Sequence, residues 1–136
     1  NPNWEILEQV DADFTTAKGY EVMKQLLEKY PDIDVVVSQN DDMTFGALEA
    51  MDEAGVTTGK DGDVILISYD AVKTALEKVG EGRINVDIEC NPLQGQYIDM
   101  IIKNLESGIP IEKKYYTVER IFTPENVGLV LDDRLY

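Results

Sequence analysis

Two short apolar runs constrain this chain more than any other feature. Asp34-Val35-Val36-Val37-Ser38 and Val64-Ile65-Leu66-Ile67-Ser68 carry β-branched and aliphatic side chains with no polar alternation. A strand written this way leaves no face for water, so each run predicts a strand of a parallel sheet covered on both sides. Each is followed by helical spacing: Met43, Ala47, Leu48, Met51 and Ala54 after the first, and Val72, Ala75, Leu76 and Val79 after the second. Gly55 and Gly80 are natural stops for those helices. Alternating strands and helices need crossover connections, which are right-handed and leave the strands parallel. The fold class expected is α/β, a doubly wound parallel sheet of the Rossmann-like kind.

The flanks extend the pattern. Trp4 to Val10 reads as a first strand, and Asp13 or Thr15 is placed to cap a helix carrying Val22, Met23, Leu26, Leu27 and Tyr30, which Pro31 ends. Ile84, Val86 and Ile88 alternate with Asn85 and Asp87, predicting a half-exposed strand toward a sheet edge. After Pro92, a helix turns Tyr97, Ile98, Ile101, Ile102 and Leu105 inward and stops at Gly108, and Tyr115 to Phe122 reads as a last strand.

With 136 residues the chain has the length of one domain. Its 12 basic against 27 acidic residues give a net charge of −15, which repels phosphate backbones and anionic lipid heads. No nucleic-acid partner and no direct membrane insertion are expected. Histidine is absent, which removes serine-histidine and cysteine-histidine catalysis and the commonest zinc ligand. The single cysteine, Cys90, allows no internal disulfide. Asp61-Gly62-Asp63 lacks the spacing to a bidentate Glu and reads as a turn instead of a calcium loop. Neither catalysis, metal nor cofactor is expected.

In open parallel sheets ligands sit beyond the carboxyl ends of the strands. Here those ends deliver Asp13-Phe14, Gln39-Asn40-Asp41-Asp42, Tyr69-Asp70 and Glu89-Cys90-Asn91. A ring, an amide and a carboxylate on one rim suit a neutral polyhydroxylated ligand, the ring covering C–H faces and the polar groups holding hydroxyls. Asp13, Asp41 and Asp70 read equally well as helix caps, Phe14 as a core or staple residue, and Cys90 as a small buried hydrophobe.

The stretch Val37-Ser38-Gln39-Asn40-Asp41-Asp42-Met43-Thr44-Phe45-Gly46-Ala47-Leu48 resembles the ribose- and galactose-type (type I) periplasmic sugar-binding proteins. Collinear support comes from Lys18-Gly19-Tyr20 with Tyr30-Pro31-Asp32-Ile33, from Ile67-Ser68-Tyr69-Asp70, and from Thr123-Pro124-Glu125-Asn126-Val127. The resemblance implies that Phe14 stacks on a monosaccharide and that Asn40 and Asp70 hydrogen-bond it. A further contact, often Gln in the family, falls at Cys90 with Glu89 alongside. Glu89-Cys90-Asn91-Pro92-Leu93 is similar to a subgroup near the galactofuranose binders, implying a hexose in furanose form.

Such proteins have two lobes joined by three crossings, deliver sugar to the membrane permease of an ABC importer or to a chemoreceptor, and work in a periplasm or, lipid-anchored, outside the cell. By this resemblance the chain is the C-terminal part: about 1–91 and 123–136 belong to the C-terminal lobe, and about 92–122 to the other. The helix after Pro92 then lacks its usual sheet, and self-association is one expected outcome. Two alternatives are the effector-binding domain of a sugar-responsive repressor and, more remotely, a phospho-accepting receiver domain using Asp41, Asp42 and Asp70. The receiver reading lacks a lysine at a later strand end.

Overall fold

The computed structural model describes residues 3–136. In chain order the elements are α1 (Thr16–Lys29), β1 (Val35–Val37), α2 (Asp41–Ala54), β2 (Ile65–Asp70), α3 (Lys73–Gly80), β3 (Val86–Glu89), α4 (Gly95–Glu106) and β4 (Ile121–Phe122), followed by a 3₁₀ turn at Val127–Leu129. The strands form one sheet in the order β1-β2-β3-β4. The first three run parallel, and β4 pairs antiparallel to β3.

Register decides which side chains meet the helices. Val36 lies opposite Leu66, Ser68 opposite Asp87, and Asp70 opposite Glu89. Leu66, Ser68 and Asp87 therefore share one face, and all three are fully buried there. Leu48 from α2 and Ala75, Leu76 and Val79 from α3 close the core over that face. Met23 of α1 packs on Ala47, Ala50 and Met51 of α2 in a second cluster. On the reverse face Val37 is 54% and Ile65 47% exposed. Among the described residues the helices thus cover one side, although the sequence of these strands suits burial on both.

Local signals explain the helix limits. Thr15, not Asp13, caps α1, its Oγ1 accepting from the Lys18 N–H at 3.3 Å. Asn40 caps α2 in the same way, and Gly55, at φ +73°, closes it by donating to the carbonyls of Asp52 and Met51. The α1–α2 contact depends on two glycines. A Cβ on Gly19 would lie 2.4 Å from the Met43 carbonyl oxygen, and one on Gly46 would lie 2.0 Å from that of Thr16.

Three expectations need correction. Trp4 to Val10 forms no strand: the segment is irregular, and Trp4 and Ile6 are about three-quarters exposed. Its fixed points are side-chain contacts to α1, with Glu8 paired to Lys29 at 2.8 Å and the Leu7 carbonyl accepting from the Tyr30 hydroxyl at 3.3 Å. A strand exists only through a paired neighbour, and no ladder reaches this segment. β3 is not an edge strand but lies between β2 and β4, and its alternation is inverted, with Asp87 and Glu89 inside and Val86 and Ile88 partly exposed. The predicted strand Tyr115–Phe122 shrinks to Ile121–Phe122.

Candidate functional site

The carboxyl ends of β1 and β2 lie side by side, and two sharp turns build a rim above them. Among the described residues four non-glycines adopt positive φ, and all are here: Asp13 (+51°), Phe14 (+55°), Asp70 (+104°) and Ala71 (+59°). Such conformations cost about 1–3 kcal/mol each and persist where surrounding contacts impose them. Their confinement to these two turns marks the rim as the place where the fold holds strain.

Asn40 joins the first turn to α2. Its Oδ1 accepts from the Met43 N–H at 3.0 Å and its Nδ2 donates to the Phe14 carbonyl at 3.5 Å. The Phe14 ring points away from the core, 66% exposed, so it is neither a core nor a staple residue. Asp70 ends β2 half-buried. Burial raises its carboxyl above the usual range, the backbone N–H of Asp41 opposes that shift, and the charge of Asp42 adds to it. Asp70 does not cap α3, whose first turn receives no side-chain cap. Phe14, Asn40 and Asp70 are thereby tied to one rim through the start of α2.

Asp41 is an internal brace, not a cap of its own helix. It is 2% exposed, and its two oxygens accept from the Ser68 hydroxyl at 2.5 Å and the Val72 N–H at 2.8 Å. Burial is the main reason its carboxyl rises to about 6, partly offset by those two bonds.

Glu89 and Cys90, at the end of β3, part company. The Cys90 thiol is exposed, and its N–H donates to the Asp70 carbonyl at 3.3 Å. The Glu89 carboxylate is 2% exposed and turns under the rim into a cationic clamp. Arg120 donates from its backbone N–H (3.0 Å), Nε (3.1 Å) and Nη2 (3.2 Å), Tyr136 donates its hydroxyl at 2.7 Å, and Arg134 donates from Nη1. Arg134 also donates from Nε to the Ala71 carbonyl at 2.8 Å, tying the chain terminus to the strained turn. Burial alone would raise Glu89; the bonds from Arg120, Tyr136 and Arg134 outweigh it and hold the carboxyl down to about 2. A cavity of about 310 Å³ opens beside this clamp, between Glu89, Asn91, Leu93, Arg120 and Tyr136.

Sequence reasoning missed Arg120, Arg134, Tyr136 and Asp87. A charge inside an apolar alternation was the available signal for Asp87, whereas nothing in local spacing marks the tail residues. No group of three or more acidic or cysteine side chains placed to hold a metal ion occurs among the described residues.

Fold and rim together are those of an α/β protein with a polar rim beyond the carboxyl ends of its parallel strands, the place where ligands sit in such sheets. Residues 1–107 match the family described as periplasmic binding protein domain, and the chain belongs to that family. It is 32% identical over 137 aligned residues to the galactofuranose-binding protein YtfQ of Escherichia coli K12, covering 98% of this chain and 42% of that protein. A Mycobacterium smegmatis protein solved in complex with β-D-fucofuranose superposes with a TM-score of 0.88 at 34% identity, over 98% of this chain and 43% of that one. The periplasmic binding component of the arabinose ABC transporter of Shewanella sp. ANA-3, bound to L-arabinofuranose, gives 0.87 at 30% identity, over 98% and 45%. The chain therefore spans less than half the length of these relatives. No helix among the described residues is long and apolar enough to cross a membrane.

Proposed function

We propose that this chain supplies the C-terminal share of a sugar-binding cleft in the solute-binding component of an ABC importer. The observation that carries the reading is the strained rim, which holds Phe14 and Asp70 at positive φ and ties the Asn40 amide to the Phe14 carbonyl. An aromatic face and hydrogen-bonding groups at fixed spacing are what a ring of C–H faces and hydroxyls requires. Three similar proteins are named for, or solved with, galactofuranose, fucofuranose and arabinofuranose, which favours a monosaccharide in furanose form.

In this reading a second lobe closes on the rim, and the closed form is what a membrane permease recognises. No bond in the sugar is made or broken. Residues 1–91 and 123–136 form the C-terminal lobe and 92–122 cross into the other. The setting is a periplasm or, for a lipid-anchored form, the cell exterior. Cys90 lies at the brim beside the sugar, while Glu89 works from beneath as the anchor of the tail.

Calorimetric titration of the two-lobed protein with pentoses and hexoses, furanose-forming sugars included, tests this. Binding of one of them is expected, with Asp70→Ala and Asn40→Ala each lowering affinity at least about tenfold, the equivalent of roughly 1.4 kcal/mol. Sugar affinity unchanged in both variants would remove the rim from the site.

A further inference from the structure

Below the rim lies a polar centre that the sugar contacts do not use. Asp87, on β3, is 0% exposed, and neither of its carboxyl oxygens has a hydrogen-bond partner among the described residues. Its register partner on β2, the buried Ser68, donates to the buried Asp41 Oδ1 at 2.5 Å, which gathers Asp41 and Asp87 around one serine, and the Asp41 charge is the one that acts most strongly on Asp87. The hydroxyl contacts around Asp41 run toward an ionised carboxylate. Ser68 Oγ donates to Asp41 Oδ1, and Thr44 Oγ1 lies 2.7 Å from Ser68 Oγ and 2.9 Å from the Asn40 carbonyl. Asp41 Oδ2 accepts from Val72 N–H, just past the turn that carries Asp70. One buried carboxylate thus braces the segments bearing both Asn40 and Asp70.

An ionised carboxylate is acceptor-only, and burying it without a donor is costly; a protonated one has an O–H to give. Asp87 has no donor in bonding geometry, and the neighbouring Asp41 carboxylate is an acceptor with unused lone pairs. We propose that Asp87 and Asp41 share one proton, and that the resulting carboxyl–carboxylate pair is the positioning element that holds the α2 start and the Asp70 turn together. This rests on the reading of Asn40 and Asp70 as sugar contacts.

The surroundings support the neutral form of Asp87. Burial first, and then the Asp41 charge, push it up to about 8, with Asp70 at the end of β2 adding a little and the Ala71 N–H opposing. On β3 itself Glu89 is also acidic, but Arg120 from β4 and Arg134 from the tail are committed to it. Losing the shared proton would leave two negative charges together in the core, beside a third at Asp70. The brace on Val72 and the α2 start would loosen as a result.

Carboxyl-carbon NMR of this chain across the titration is the test. The expected result is two steps shared by the pair, the upper one near pH 8 and felt at both the Asp41 and Asp87 carboxyl carbons. The Val72 amide and the Asn40 side-chain amide should follow with the same upper midpoint. Asp87→Asn should abolish the upper step and hold the Val72 resonance at its low-pH position throughout. Titration of Asp87 in the ordinary carboxylate range, or a high step that leaves Val72 and Asn40 unmoved, overturns the proposal. If Asp87→Asn does not fold, the wild-type titration decides alone. No sugar enters any arm, so a protein that passes here yet binds no sugar loses only the functional reading.

Discussion

At the scale of single residues, the two buried carboxylates of β3 are neighbours in strand phase and opposites in chemistry. Glu89 accepts five hydrogen bonds from three residues and is driven to ionise, whereas neither Asp87 oxygen has a hydrogen-bond partner among the described residues and burial drives it to stay neutral. Their effects on stability therefore have opposite signs. Glu89 has its folded value lowered from 4.5 to about 2, so its contribution is complete above about pH 4.5 and is lost as pH falls toward 2. That contribution is on the order of 3 kcal/mol. Asp87 has its folded value raised from 3.8 to about 8, so stability it confers is complete below about 3.8 and fades as pH rises through 8. Denaturant unfolding of this chain across pH should show greatest stability on the mildly acidic side. Glu89→Gln should flatten the acid limb and Asp87→Asn the alkaline limb. A stability profile in which neither substitution alters a slope would mean that the two carboxyls titrate alike in folded and unfolded chains.

Among the elements, α1 and α2 are fitted by absence. Backbone approaches backbone at Gly19 and Gly46, and a methyl group at Gly46 would sit 2.0 Å from the Thr16 carbonyl oxygen. Gly46→Ala should force the helices apart and cost roughly 1–3 kcal/mol, read as a lower denaturation midpoint at an unchanged m-value. Because Asn40 heads α2 and Phe14 precedes α1, the same displacement should strain the bond between them. A neutral or stabilising result would show that the crossing has slack. This contact was legible in the sequence only as glycines inside helical patterns, since which backbone each one meets depends on the crossing itself.

For the molecule as a whole, apolar surface remains uncovered. α4 buries none of its residues fully, and Ile98, Ile102 and Leu105 are each at least half exposed. Val37 and Ile65 add exposed apolar surface on the reverse of the sheet. Exposed apolar area on this scale marks an interaction surface or promotes association. The 136-residue chain by itself is expected to self-associate and to bind a hydrophobic dye, and its sugar affinity is expected to be weak, because half of a closed cleft makes only part of the contacts. Light scattering of a monodisperse monomer with no dye binding, or micromolar sugar affinity in calorimetry, would sink this view.

The sequence by itself determined the α/β class, the sites of α2, α3 and β2, and the Gly55 cap of α2, and it narrowed the cap of α1 to Asp13 or Thr15. These depend on short-range periodicity and on turn chemistry, which a linear reading can follow. It did not determine that Trp4–Val10 stays unpaired, that β3 is interior, or that Arg120, Arg134 and Tyr136 gather on Glu89. Strand pairing, and hydrogen bonding and ion pairing across 31 to 47 positions, depend on which segments become neighbours, and that is settled by packing. Asp87 makes the difference plain: its alternation promised a solvent-facing carboxylate, and only the register that sets it beside Ser68, on the helix-covered face, turned that side chain into the core.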